Sequence, residues 1–298
     1  MSKIILNSEL LNKVFDGKEI THENAYQVYQ EAEKNPHELY KAAQILRNKN
    51  KAKTVTYSRK VFFNLINLCR DTCSYCTYKA EPGESKVSMM SRQDIANLVR
   101  VGKRYRCTEA LFVTGERPEQ RYAEAREWLV KNGFSTTAEY LVHASETALE
   151  GGLFPHTNAG NLTKPEMVEL RKTNASMGVM LENSSERLSG KGMPHELAPS
   201  KNPRARTRVL ENAGELSIPM TTGLLIGIGE SPFEIIDSIF AIKSIHEKYG
   251  NIQEVILQNF QPKPDTAMRD IPRPEERYFK NLVALARLLM PEMNIQIP

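Results

Sequence analysis

The sequence places an apolar run, Val61-Phe62-Phe63-Asn64-Leu65, shortly before a cysteine loop, Cys69-Arg70-Asp71-Thr72-Cys73-Ser74-Tyr75-Cys76. A short apolar run bounded by polar residues predicts a buried β-strand. The loop would then follow the carboxyl end of that strand. Barrel enzymes built from parallel strands carry their chemistry in such loops, so this pair of stretches predicts both a fold and a site.

The same pattern recurs along the rest of the chain. Further strands are predicted at 110–113, near His156, at 177–181, 223–226 and 255–257, and from Asn294 onward. Helix-like segments lie between them at 93–105, 122–132, 164–173, 206–213, 234–247 and 275–289. Regular alternation of strand and helix predicts parallel βα units. About seven strands favour an α/β fold of the (β/α) TIM-type barrel over the alternative, a doubly wound open sheet.

A helical segment is predicted before the barrel. Apolar residues recur at helical spacing between residues 8 and 50, and Thr21 is a plausible N-cap for the second helix. We therefore divide the chain into an N-terminal helical segment, residues 1–58, and a barrel, residues 59–298.

Composition narrows the class of protein. The chain has 298 residues, of which 40% are hydrophobic and 26% charged, a balance typical of globular proteins. The apolar run at residues 1–6 is too short for a signal peptide, and no run has the length of a membrane span, so a cytoplasmic protein without a membrane partner is expected. The net charge of +4 is spread among acidic residues, and the basic cluster at 47–60 is interpreted as a solvated surface rather than a nucleic-acid site.

The spacing C-x3-C-x2-C indicates metal binding. Three thiolates on one loop can ligate three irons of a [4Fe-4S] cluster, which leaves the fourth iron free to be chelated by an amino acid. Such a cluster can reduce the sulfonium of S-adenosylmethionine (SAM) and release methionine and a 5′-deoxyadenosyl radical. Zinc would favour paired C-x2-C motifs, and an electron carrier would need a fourth thiolate. The remaining cysteine, Cys107, is interpreted as a small buried residue.

The surroundings of the cysteines carry a family resemblance. The string Asn67-Leu68-Cys69-Arg70-Asp71-Thr72-Cys73-Ser74-Tyr75-Cys76-Thr77-Tyr78 resembles the cluster loop of 7,8-didemethyl-8-hydroxy-5-deazariboflavin (FO) synthases, specifically their ring-closing radical SAM subunit. The C-x3-C-x2-C spacing is shared by a large superfamily. Its context, together with Gln258-Asn259-Phe260-Gln261-Pro262-Lys263, is far more specific.

The resemblance implies a reaction and partners. A tyrosine-using radical SAM partner subunit would supply 5-amino-5-(4-hydroxybenzyl)-6-(D-ribitylimino)-5,6-dihydrouracil, the adduct. The present chain, reduced by a low-potential electron donor, would convert this small-molecule substrate to FO and release ammonia. The alternative is another biotin-synthase-like radical SAM enzyme, such as the tyrosine-cleaving partner subunit or a menaquinone-pathway cyclase.

The resemblance also implies SAM contacts near the cysteine loop. Tyr75 and Tyr78 would meet the adenine. Gly115 and Glu116 resemble a Gly-Gly-Glu turn that receives the methionine ammonium, although Thr114 replaces its first glycine. A bracing aromatic and a plain strand-ending turn are the structural alternatives.

Other SAM contacts are implied further along the chain. Glu182 would accept hydrogen bonds from the ribose, and Arg206 would grip the carboxylate. Gly227 and Glu230 resemble the fifth-strand motif that approaches the nucleoside. Three more polar residues are candidates to face the uracil or ribityl group, with no proton-transfer role assigned: His156, Asn158 and Asn161.

Overall fold

The computed structural model describes residues 8–15 and 18–298, so the opening run at residues 1–6 lies outside the described residues. Its centre is a parallel sheet in which each strand pairs with the next along the chain. The strands are β1 (Lys60–Asn64), β2 (Glu109–Val113), β3 (Phe154–Asn158), β4 (Ser176–Gly178), β5 (Met220–Ile226), β6 (Ile252–Asn259) and β7 (Asn294–Gln296). Within the described residues, no pairing joins β7 back to β1.

The helices connect the strands or precede them. Three come before the sheet: α1 (Glu9–Phe15), α2 (His22–Lys34) and α3 (His37–Lys51). The others are α4 (Arg92–Arg104), α5 (Pro118–Arg121), α6 (Ala123–Lys131), α7 (Thr137–Glu150), α8 (Lys164–Leu170), α9 (Pro203–Glu215), α10 (Pro232–Tyr249) and α11 (Glu276–Leu289).

The predicted alternation is confirmed: seven parallel strands lie between helices in a fold of the TIM-barrel type. Strand β4 is shorter than the predicted 177–181, because the chain leaves the sheet after Gly178. Helix α7 was not among the predicted helices. Its buried face consists largely of small residues, such as Ala144 and Ala148, which give a weak periodic signal.

The core lies between the sheet and its helices. Phe63 and Phe112 are register partners on β1 and β2, both fully buried, with ring centroids 4.7 Å apart. Burial of such a side chain contributes about 1.5–3 kcal/mol. Because side chains alternate across a strand, the intervening residues face the other side of the sheet. We call the space on that inner side the lumen.

The N-terminal helices pack on the last helices of the sheet. The Thr21 side chain accepts a hydrogen bond from the N–H of Asn24 (3.2 Å), which confirms the predicted N-cap. The Tyr40 hydroxyl of α3 donates to the Asn281 amide oxygen of α11 (2.9 Å). The proposed domain boundary after residue 58 stays a prediction.

Among the described helices, none combines the length and the apolar character needed to cross a lipid bilayer.

Candidate active site at the carboxyl ends of the strands

The cysteine loop is held by loops that follow other strands. The Arg70 N–H donates to the carbonyl of Glu116 after β2 (2.8 Å), and the Thr72 N–H donates to the carbonyl of Leu197 after β4 (2.7 Å). On a third side, the N–H of Met268 after β6 donates to the loop (3.2 Å). Backbone hydrogen bonds from three directions therefore fix the loop over the carboxyl ends of the strands.

Gly115 lets the second strand's turn approach the cysteine loop. A Cβ at this position would lie 1.9 Å from the carbonyl oxygen of Leu68 and 2.8 Å from the Cα of Cys69. The Gly115 N–H donates to the carbonyl of Ile66 (2.7 Å). Only a residue without a side chain fits between these backbones.

The three thiols form a set that fits an iron-sulfur cluster. Cys69, Cys73 and Cys76 are all free and partly accessible. Burial is the main cause that raises the pKa of Cys69, and it also raises the pKa of Cys73, to about 12. The charge of Cys76 raises both pKa values further, so Cys76 lies within electrostatic reach of the other two thiols. The N–H of Glu116 donates to Sγ of Cys69 (3.2 Å), a contact typical of a ligand sulfur.

The three thiols are not arranged as ligands of one shared ion. Within residues 8–15 and 18–298, no three His, Cys, Asp or Glu side chains converge as the ligands of a single ion would. In a [4Fe-4S] cluster each thiolate binds its own iron. Cys107 lies before β2, whereas the cysteine loop follows β1, so the fourth cysteine is at the opposite end of the strands. The chain thus offers thiolates for three irons at this site.

Glu116 is buried and points toward the loop after β3. Its Oε2 accepts the N–H of Asn161 (3.0 Å), and a Cβ at Gly160 would clash with the same oxygen. Its Oε1 is buried without a hydrogen-bond partner and has two guanidinium groups nearby, with Nη2 of Arg70 3.9 Å away and Nε of Arg117 3.8 Å away. A buried carboxylate oxygen without a hydrogen-bond donor is costly, so this oxygen can still accept a hydrogen bond from a cationic ligand group.

Glu182, four residues beyond the end of β4, lies in a strained backbone conformation. Its φ of 64° is in the left-handed region, which is unusual for a residue with a side chain. The strain is sustained by pairing with β5: the Glu182 N–H donates to the carbonyl of Gly223 (2.9 Å). The carboxylate is largely buried and forms an ion pair with Lys201. Lys201 also lowers the pKa of Cys73, which shows that its ammonium lies near the cysteine loop.

Arg206 lies in a buried network beneath the cysteine loop. Its Nε donates to the carbonyl of Ser200 (2.8 Å), and its Nη2 donates to the Ser200 hydroxyl (3.4 Å). That hydroxyl also donates to the carboxylate of Asp71, inside the cysteine loop. The network therefore links α9 to the loop, and the predicted contact of Arg206 with the SAM carboxylate stays a prediction.

Tyr75 braces the site from within the loop. Its hydroxyl lies 2.9 Å from Nε2 of His195, and the two rings meet edge to face. Tyr75 packs against a small apolar cluster that includes Leu225 and Phe260. Burial lowers the pKa of His195 to about 4, so its ring is neutral at pH 7.

The remaining predicted residues have internal partners. The Tyr78 hydroxyl contacts the carbonyls of Ile66 and Val113, each at 3.2 Å, at the tops of β1 and β2. The Glu230 carboxylate accepts the N–H of Gly227 (2.7 Å) within its own turn. Gly227 has a φ of 101°, which favours glycine. Contacts of these three with SAM stay predictions.

Sequence reasoning missed the second side of the site. Lys201, His195 and Ser200 lie in the long connection between β4 and α9, more than a hundred residues after the cysteines. Among the residues of this network, only Asp71 stands out in the sequence, because it is an acidic residue between two cysteines. No spacing rule pairs it with Ser200, because the two meet only when the sheet is formed.

Comparisons with known proteins identify the family. Residues 63–242 match the model of the radical SAM superfamily, whose members use a [4Fe-4S] cluster and SAM. A Methanopyrus kandleri protein named 7,8-didemethyl-8-hydroxy-5-deazariboflavin synthase is 47% identical over 245 residues, 82% of this chain and 73% of that one. The protein of the same name from Methanocaldococcus jannaschii is 44% identical, over 87% of this chain and 71% of its own. The FO synthase of Nocardia farcinica is 44% identical over 82% of this chain, but only 29% of its own length is matched.

Solved structures confirm the fold. Methylornithine synthase (PylB) superposes with a TM-score of 0.72 at 18% identity, over 96% of this chain and 78% of that one. The FeFe-hydrogenase maturase HydG from Carboxydothermus hydrogenoformans gives a TM-score of 0.78 at 21% identity, over 96% and 64%. From the superfamily match and the identity to the two archaeal synthases, the chain belongs to the radical SAM superfamily and, within it, to the 7,8-didemethyl-8-hydroxy-5-deazariboflavin synthase family.

Proposed function

We propose that this chain performs the ring closure of deazaflavin biosynthesis. It converts the adduct to FO and releases ammonia, methionine and 5′-deoxyadenosine, which makes it a carbon-nitrogen lyase. The observation that carries the proposal is the 47% identity to the Methanopyrus kandleri synthase across most of both chains. The three free thiols over the carboxyl ends of the strands support the radical chemistry.

Each part of SAM has a partner in the proposed site. Cys69, Cys73 and Cys76 would hold the cluster, which together with SAM supplies a 5′-deoxyadenosyl radical. The orphaned Oε1 of Glu116 would accept the methionine ammonium, as carboxylates accept cationic donors. Tyr75, Tyr78, Gly227 and Glu230 would border the nucleoside, and Arg206 would bind the SAM carboxylate.

Glu182 is proposed as the ribose ligand. Its buried carboxylate, strained backbone and ion pair with Lys201 indicate a group held in place for a ligand. Glu182→Gln should weaken SAM binding about 10- to 100-fold, because it removes a charged acceptor and leaves the Lys201 ammonium without its partner. The measurement is the Kd of SAM by equilibrium dialysis under anaerobic conditions.

The matched control for Glu182 is Glu186→Gln. Glu186 is an exposed acid on the same connection and pairs with exposed Arg204. Exposed ion pairs contribute little, so this variant should bind SAM as the wild type does. Equal affinity for SAM in the wild type and in Glu182→Gln would contradict the ribose assignment.

Partners and compartment follow from the proposed reaction. A tyrosine-using radical SAM subunit supplies the adduct, and a low-potential donor supplies the electron. We propose the cytoplasm as the compartment, since free thiols and a reduced cluster require reducing conditions.

The decisive assay for the proposed function uses the reconstituted chain with dithionite, SAM and the adduct. Fluorescent FO should form, with about one 5′-deoxyadenosine and one methionine for each ring closed. Tyrosine and 5-amino-6-(D-ribitylamino)uracil should yield FO only when the partner enzyme is added. Cleavage of SAM without any FO from the adduct would reject the ring-closing assignment, and consumption of tyrosine by this chain alone would indicate the partner's reaction instead.

A further inference from the structure

Strand β3 presents two polar side chains to the lumen. The Thr157 hydroxyl donates to Oδ1 of Asn174 (2.8 Å), and the Asn174 amide donates to Ser145 on α7 (3.1 Å), so Thr157 faces the helices. Side chains alternate across a strand. The neighbouring residues, His156 and Asn158, therefore face the inner side.

His156 is buried but has one free ring nitrogen. The side chain is 5% exposed, and its Nδ1 lies 2.6 Å from the hydroxyl of Ser176 on β4. Its Nε2 has no hydrogen-bond partner among the residues that the structure describes. Burial lowers the pKa of His156 to about 4. The charge of Glu109 raises this pKa and the charge of Lys60 lowers it, but burial has the largest effect. The ring is therefore neutral at pH 7, and Ser176 fixes its orientation.

A glycine lets the imidazole pack closely against the backbone of β4. A Cβ at Gly178 on β4 would lie 2.9 Å from Nε2 of His156, 3.4 Å from the carbonyl oxygen of Thr221 and 3.5 Å from Cγ of Asn158. The imidazole and the amide therefore lie side by side at Gly178, and a larger residue at 178 would displace the imidazole. A neutral ring nitrogen beside an amide suits an uncharged ligand with alternating donors and acceptors.

The two side chains lie close to the proposed radical source. His156 is four positions before Gly160, which packs against the Glu116 carboxylate at the SAM side. Because an extended residue spans at most about 3.3–3.6 Å, the backbone of His156 lies within roughly 14 Å of that contact. A ligand the size of the adduct can span this distance.

We infer that His156 and Asn158, opposite Gly178, form a lumen subsite that binds the pyrimidine ring of the substrate. The inference rests on the proposed function and deepens it. The carbonyl and N–H groups of a pyrimidine dione match the imidazole Nε2 and the side-chain amide. The reacting part of the adduct then points toward the carboxyl ends of the strands.

The test measures binding of FO, which retains the pyrimidine ring, to the cluster-loaded full chain without reductant. His156→Leu should weaken FO binding about 10- to 100-fold, because the ring loses a buried partner. His156→Gln, which keeps a polar group, should lose less. Gly178→Ala should weaken binding too, because its methyl group would push the imidazole of His156 out of position. Thr157→Val, which removes a buried hydrogen bond on the other face of the same strand, should bind FO as the wild type does.

Two further readouts separate this inference from the proposed function. The His156 variants should raise the KM for the adduct while SAM still perturbs the spectrum of the reduced cluster as in the wild type. If the wild type forms FO but His156→Leu and Gly178→Ala keep its FO affinity and KM, the subsite is wrong and the function stands. If the wild type cleaves SAM but neither forms nor binds FO, the function and the subsite both fail.

Discussion

Replacement of Cys69, Cys73 or Cys76 by alanine is expected to reduce the yield of 5′-deoxyadenosine from SAM to background. Each thiolate would bind a different iron, so no remaining cysteine can compensate at the same position. Cys107, before β2, is too far away to substitute. Iron and sulfide content after anaerobic reconstitution, followed by quantification of 5′-deoxyadenosine, measures both consequences.

Cys107→Ala is the matched control for these variants. It removes a thiol of similar accessibility at the other end of the strands. This variant should keep the iron load and the SAM cleavage of the wild type. Full activity in any of the three loop variants, or a loss in Cys107→Ala equal to theirs, would contradict the assignment of the ligands.

The second large effect is expected from Gly115→Ala. The added methyl carbon would lie 1.9 Å from the carbonyl oxygen of Leu68, a distance that backbone atoms cannot accept. Either the turn after β2 or the cysteine loop must move, at a cost of about 3 kcal/mol. We expect a lower urea midpoint of unfolding together with a reduced cluster content, since the displaced residue is next to Cys69.

Gly83→Ala serves as the control for this steric effect. Gly83 has a φ of 83°, and no heavy atom lies within 4 Å of an added Cβ. It should cost about 1 kcal/mol from backbone strain alone and leave cluster content unchanged. Gly115→Ala with wild-type stability and full cluster content would show that the two backbones are not in close contact.

The architecture was predictable because hydrophobic patterning is local. Five of the seven strands were predicted from short apolar runs, and the observed strands include most of those residues. The other two were predicted near His156 and from Asn294 onward. The bounds differ by up to three residues: β4 ends at Gly178, because Glu182 pairs with β5 through a single bridge instead of a continued ladder. Helix α7 was missed because alanines on its buried face resemble neither a polar nor a strongly apolar pattern.

The site was predictable only where its residues are adjacent in sequence. The cysteine loop, including Tyr75, can be recognised in the sequence from the spacing of its cysteines and from the residues around them. The ion pair between Glu182 and Lys201, and the contact between Asp71 and Ser200, depend on how distant loops meet at one end of the sheet. Such contacts are set by strand order and register, which no local pattern specifies.

The central claim is that the chain leaves one iron of its cluster free for SAM. The most direct measurement is the electron paramagnetic resonance spectrum of the reduced, fully loaded protein before and after SAM is added. We expect the signal to change shape and g-values, because the amino and carboxylate groups of SAM bind that iron. An unchanged spectrum at a SAM concentration that saturates binding would contradict the account.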